Sequence, residues 1–221
     1  MSATDCRLIL FAKAPVPGRV KTRLIPSMGA SAAAALSRQL ILHSLSVAVG
    51  ARIDRVDLWC APSARRPFFQ RCGRRFPVSL FNQAGGDLGS RMAHAFQVTL
   101  RGASPVLLMG TDCPSLTPRD LREGAEAMRS GCDAVVGPAE DGGYVLIGLR
   151  RYASELFTGI SWGTGSVLHQ TLDRIRKLGW RWHELSTQWD VDRPEDVKRL
   201  KREACLGDPS KNGASLYFRR F

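Results

Sequence analysis

The chain has 221 residues, enough to bury a full core in one domain, with 44% hydrophobic and 24% charged residues. Its formal net charge of +12 suits phosphorylated substrates, nucleic acid or an anionic membrane, and by itself chooses none of them. The 32 Lys and Arg residues are spread along the chain, which argues against a nucleic-acid arm, and the six cysteines form no C-x-x-C pair and no zinc-type spacing with the four histidines.

The start lacks the basic region of a signal peptide, and no segment reads as long enough to span a membrane. With Cys6, Cys60 and Cys132 in or beside apolar segments, a cytoplasmic protein is expected.

In chain order, 7–12 predicts the first buried strand. It runs into a loop that carries Lys13, Arg19, Lys21 and Arg23 among two prolines and a glycine. Any one of these cations is most simply a surface residue. Together, at the end of a strand, they predict a phosphate site at the sheet's edge. A helix follows over 31–49, with Ser31 as its expected cap and Leu36, Leu40, Ile41 and Leu45 on one face. Further strands are predicted at 55–61, 77–81, 105–109, 134–137, 144–149 and 180–185. Helices at 64–74, 88–100, 118–130, 167–178 and 194–204 alternate with them. This alternation predicts an α/β sandwich around a mostly parallel sheet, as one domain over 1–206 with a tail at 207–221. Ligands of such sheets bind at the carboxyl ends of the strands.

Four loops carry candidate chemistry. GTDCPSLTP at 110–118 delivers Asp112 straight from an apolar strand to that edge, where Mg²⁺ would need oxygen ligands. The plain alternative is an Asx-turn before Pro114. WDVDRPED at 189–196 offers Asp192 as a helix cap completed by Glu195. If the segment is extended, Asp190 and Asp192 point the same way, and a capping carboxylate keeps an oxygen for a metal. GPAEDGGY at 137–144 reads as a hairpin turn, or as a close approach to a sugar or phosphate with Asp141 binding a hydroxyl or acting as base. QAGGDLGSRM at 83–92 is a glycine-rich loop into a helix, a tight turn or a place for amides to meet a base or phosphate. Neither G-x-G-x-x-G nor G-x-x-x-x-G-K-[ST] nor G-x-S-x-G occurs at the expected place, which argues against Rossmann dinucleotide binding, a P-loop and the usual hydrolase elbow.

Taken in order, FAKAPVPGRVKTRL, QAGGDLGSRM, GTDCPSLTPRDL, GPAEDGGYVLIGL and DVDRPEDV resemble the bacterial GT-A-type glycosyltransferases associated with arsenosugar biosynthesis. The order is also similar to that of the guanylyltransferases acting on phospholactate or phosphoenolpyruvate. The resemblance covers roughly residues 7–200 and rests on the series, since no single motif decides it. It implies a Rossmann-like three-layer sandwich of the nucleotide-diphosphosugar transferase superfamily. It further implies phosphate binding by Lys13, Arg19, Lys21 and Arg23, and Mg²⁺ or Mn²⁺ on Asp112 and Asp192. Gln83 with Gly86 and Gly89 of the 85–89 loop would lie near the base. Asp141, Gly142, Gly143 and Tyr144 would lie near the sugar or acceptor. The chain departs from its relatives in two places: Ala14 and Pro15 stand where sugar-nucleotide pyrophosphorylases carry paired glycines, and Asp112 stands alone in place of the Asp-x-Asp of many glycosyltransferases.

The implied chemistry is transfer of a sugar from a nucleotide sugar to a small-molecule acceptor. Asp112, Asp141 and Lys21 would be its catalytic groups, with the cations meeting the leaving diphosphate. The alternative is nucleotidyl transfer from an NTP to a phosphorylated small molecule with release of pyrophosphate, which suits the cationic loop. A non-catalytic nucleotide-binding module is the more remote reading. Nucleic acid is not an expected partner.

Overall fold

The computed structural model describes residues 6–102 and 105–205. The tail at 207–221 lies outside the described residues. Seven strands form one sheet in the order β3-β2-β1-β4-β6-β5-β7. They are β1 Arg7–Lys13, β2 Arg55–Ala61, β3 Ser79–Asn82, β4 Val106–Met109, β5 Ala134–Pro138, β6 Tyr144–Leu149 and β7 Trp182–Glu184. The helices are α1 Ile25–Met28, α2 Ala30–Gly50, α3 Pro67–Arg75, α4 Leu88–Thr99, α5 Pro118–Arg129, α6 Val167–Lys177 and α7 Pro194–Cys205. The sheet is mostly parallel, as expected. Its exception is β6, antiparallel to both β4 and β5 because the 139–143 turn folds it straight back.

Alternation along β1 divides the core into two layers. Leu8, Leu10 and Ala12 face one side, with Ile41 and Leu45 of α2, Phe69 of α3, and Leu121 and Met128 of α5. Ile9 and Phe11 face the other, with Met92 and Phe96 of α4 and Leu172 and Ile175 of α6. Phe69 and Phe96 are fully buried, and truncating either to alanine is the kind of change that costs about 3–5 kcal/mol. A third cluster joins Leu24 and Leu36 to Trp189, Val191 and Leu200. It fastens the 189–191 segment against the end of the cationic loop.

Several boundaries differ from the sequence-based expectation, each for a local reason. α2 starts one residue earlier, capped by Gly29 at φ 82° and not by Ser31. α3 begins at Pro67 and not at 64, because Asn82 Oδ1 holds the Ala64 backbone amide at 2.7 Å and the Gln70 side-chain Nε2 donates to the Ala64 carbonyl at 2.9 Å. β7 shrinks to three residues, since Gly179 turns at φ 65° and Trp180 is buried in the core. The expectation about membrane length is corrected as well. The 21 residues of α2 are long and apolar enough to cross a membrane by length and composition. Here that helix lies largely buried, packed against β1 and α5.

Candidate active site

The carboxyl ends of β1 and β4, the β5–β6 turn and the segment before α7 converge on two adjoining cavities. The larger, about 570 Å³, is lined by Lys13, Arg19, Lys21 and Arg23 with Gln83, Asp112 and Asp192. The smaller, about 350 Å³, is lined by Asp112, Asp141, Asp190 and Asp192 together with Tyr144, Trp162 and Thr164. Lys21, Arg23, Asp112 and Asp192 belong to both walls. They form the partition.

Two ion pairs build that partition. Lys21 adopts a left-handed backbone conformation, φ 48° and ψ 43°, which turns its side chain inward. The side chain is only 4% exposed, and its Nζ lies 2.8 Å from Asp112 Oδ1 and donates to the Val191 carbonyl at 2.6 Å. Arg23 donates to Asp192 Oδ2. The amide of Val191 donates to the Asp112 carbonyl at 3.0 Å, locking the two aspartate segments side by side.

Asp192 was expected to cap α7, and it does not hold that place. Asp196 Oδ2 accepts from the amides of Asp192 and Arg193 at 2.9 and 2.7 Å, reaching back from inside the helix. The Asp192 carboxylate is turned to Arg23. Asp112 likewise spends its carboxylate on Lys21 and not on a local Asx-turn. Asp141 Oδ1 accepts from the Gly143 amide at 2.9 Å, as a turn residue would, and the residue also lines the smaller cavity.

The glycine-rich loops are placed differently from one another. Gln83 lines the larger cavity, while its amide nitrogen donates to the carbonyls of Trp59 at 2.9 Å and Ala12 at 3.3 Å. Gly143 lines the smaller cavity. Gly86, Gly89 and Gly142 are not among the residues lining either cavity. Gly89 serves packing: a Cβ there would sit 2.4 Å from Trp162 Nε1, so its absence lets α4 close on the Trp162 segment. Gly142, at φ 84°, would drive a Cβ to 2.2 Å from the Gly165 carbonyl oxygen.

Asp190 is the functional candidate that the motifs did not single out, although its alternation with Asp192 was the available signal. Burial is the main cause pushing its pKa up to about 6, helped by the carboxylates of Asp141, Asp112 and Asp192 and opposed by Lys21. Trp162 and Thr164 carried no sequence signal, because they enter from an irregular segment.

The loop bearing Asp112 is held from behind by His43 of α2, buried, with Nε2 3.1 Å from the Pro114 carbonyl oxygen. Burial holds the His43 pKa below its ordinary 6.5, with the Pro114 hydrogen bond pulling it back up. A histidine kept neutral in the fold and free to protonate once unfolded contributes stability that is full above its ordinary pKa and drains as pH falls below it. Chemical denaturation followed from about pH 7 to about pH 5 should show that decline, and His43→Gln should flatten it. An unchanged slope in the variant would assign the decline elsewhere.

Among the described residues no group of three or more His, Cys, Asp or Glu stands ready to hold a metal ion. What the site offers is Asp112 and Asp192, two oxygen donors at the edge of a cation-lined cleft. That set suits Mg²⁺ or Mn²⁺, which commonly take one or two carboxylates and complete their shell with substrate phosphates and water.

The sequence profile of a family described as "Uncharacterized protein conserved in bacteria (DUF2064)" matches residues 45–164, more than half of the chain. The chain belongs to this family. Asp112 and Asp141 fall inside the matched region, as does Thr164 at its end. No curated protein sequence matches the chain. Among solved structures, a protein of Desulfovibrio desulfuricans G20, provisionally assigned as a nucleotide-diphospho-sugar transferase, is similar at 28% identity with a TM-score of 0.86, covering 99% of this chain and 95% of that one. A cytidylyltransferase from Leptospira borgpetersenii serovar Hardjo-bovis shares the fold at 11% identity and a TM-score of 0.61, covering 96% of this chain and 92% of that one. CMP:2-keto-3-deoxy-manno-octonic acid synthetase, solved with CTP, does so at 12% identity and a TM-score of 0.58, covering 93% and 99%. This DUF2064 chain thus has the α/β fold of nucleotide-diphospho-sugar transferases.

Proposed function

We propose that the chain is a metal-dependent glycosyltransferase that moves a sugar from a nucleotide sugar to a small-molecule acceptor. The observation that carries this reading is the shared partition. A cation-lined cleft and a more acidic compartment meet across Lys21–Asp112 and Arg23–Asp192, which would place a diphosphate beside its acceptor. The likeness to the Desulfovibrio protein supports it.

Lys13, Arg19, Lys21 and Arg23 would bind the diphosphate and neutralise the charge that grows on it as the bond to the sugar breaks. Asp112 and Asp192 would hold the divalent ion, which when bound supplies Lewis-acid stabilisation of the same leaving group. Asp141 would accept the proton of the attacking acceptor hydroxyl, with Asp190 beside it in the compartment. Gln83 would border the nucleotide from the larger cavity. The buried thiols of Cys60, Cys72 and Cys113 fit a cytoplasmic setting. A place in arsenosugar assembly is a narrower form of this proposal, resting on the motif order alone.

One observation favours a second reading, nucleotidyl transfer. Four cations on the larger cavity suit a triphosphate, and the fold is shared with a cytidylyltransferase. Incubation with Mg²⁺ or Mn²⁺ and panels of nucleotide sugars, nucleoside triphosphates and acceptors separates the two. Release of nucleoside diphosphate from a nucleotide sugar is expected. Pyrophosphate release that depends on a phosphorylated acceptor would replace the first reading by the second.

A further inference from the structure

The smaller cavity differs in chemistry from the cleft beside it and from the protein as a whole. The chain carries a formal charge of +12, yet this compartment is lined by four carboxylates against two cations. Both cations are already engaged. Lys21 is nearly buried and held by Asp112 and the Val191 carbonyl, and Arg23 is paired with Asp192. Neither is left over for an anionic acceptor. If the two were drawn to a diphosphate in the larger cleft, Asp141 and Asp190 would face the compartment with no cation of their own.

The remaining walls are apolar and aromatic. Leu88 and Met92 of α4 lie on one side, and Tyr144 and Trp162 meet edge to face with ring centroids 6.4 Å apart. Carboxylates accept hydrogen bonds from neighbouring hydroxyls, and aromatic and aliphatic walls cover the C–H faces of a ring. A cavity of about 350 Å³ is at the small end of ligand pockets.

We propose that this compartment selects a neutral, polyhydroxylated acceptor, a sugar or sugar-like ring, and rejects acceptors that carry a phosphate or carboxylate. The inference rests on the glycosyl-transfer reading, in which Lys21, Arg23 and the divalent ion on Asp112 and Asp192 are all spent on the diphosphate in the larger cleft, leaving Asp141 and Asp190 to meet the acceptor. Charge repulsion supplies the rejection, because bringing an anion against uncompensated carboxylates is disfavoured throughout the approach.

The test is binding without turnover, so it fails independently of the product assay above. The whole chain is loaded with inorganic pyrophosphate and Mg²⁺, a diamagnetic ion, to fill the cationic cleft. Saturation-transfer NMR is then recorded against matched triplets of glucose, galactose and mannose: methyl pyranoside, 6-phosphate and 6-amino-6-deoxy sugar. In at least one triplet the neutral member should bind best, with the 6-phosphate weaker by about tenfold or more. In Asp141→Asn/Asp190→Asn, where the amide oxygen at 141 can still accept from Gly143, that ratio should fall severalfold while thermal melting shows the fold retained. Equal or better binding of the phosphate overturns the proposal. Best binding of the amine overturns it in favour of a cation site. Failure of every triplet, or a ratio unmoved in the double variant, also overturns it.

Discussion

Replacing Lys21 with alanine is expected to lower kcat/KM by about a hundred- to a thousandfold, the loss that follows removal of one well-placed charge-stabilising donor. Lys21 is the residue on which the partition turns, since its nearly buried Nζ touches both Asp112 and the Val191 carbonyl. Lys21→Arg should not rescue. A bulkier planar guanidinium cannot occupy the same narrow space as a compact ammonium. The backbone supplies a control. At φ 48° a side-chain-bearing residue is strained, and glycine removes a penalty of about 1–2 kcal/mol. Lys21→Gly should therefore be as inactive as Lys21→Ala and melt at a higher temperature. Steady-state kinetics and calorimetry on the three variants check this. Alanine retaining more than about a tenth of wild-type activity would remove Lys21 from the catalytic machinery.

Most of the scaffold was legible because its signals are local. Short apolar runs such as 55–61 and 144–149 agree residue for residue with β2 and β6. The Thr117-Pro118 start of α5 is a full capping box with Asp120. The same legibility holds for Lys13, Arg19, Lys21 and Arg23, which sit together in sequence and line one cavity together. Pairing across the chain was not legible. Lys21 meets Asp112 because β1 and β4 are neighbours in the sheet, and Arg23 meets Asp192 because the cluster of Leu24, Leu36 and Val191 folds the segment before α7 back onto the first loop. The capping expectation at Asp192 failed for a related reason. Two carboxylates, Asp192 and Asp196, compete for the same helix end, and tertiary contact with Arg23 decides between them. Asp190 carried one local signal, its alternation with Asp192, while its burial near Asp141 and Asp112 depends on contacts across the chain.

Asp112→Asn should produce two effects of opposite sign, and that opposition identifies its role. Activity is expected to fall by about a hundred- to a thousandfold, because an amide is a poor ligand for a hard divalent ion. With the metal chelated, however, binding of inorganic pyrophosphate should tighten by a few fold. Asp112 both occupies Lys21 and repels an incoming anion across the larger cavity, and neutralising it frees a cation where the phosphates arrive. With Mn²⁺ present the ranking should reverse, since the wild-type protein can then bind metal and pyrophosphate together. Asp192→Asn should show the same pattern in weaker form. Arg23 is 65% exposed in its pair, so water already screens part of what that aspartate does. Isothermal titration calorimetry in EDTA and in Mn²⁺ reads both signs on one protein. A merely structural aspartate would weaken binding in both buffers. A carboxylate that trades a lysine for a metal is the one arrangement in which losing it helps the bare anion and harms the metal-bound one.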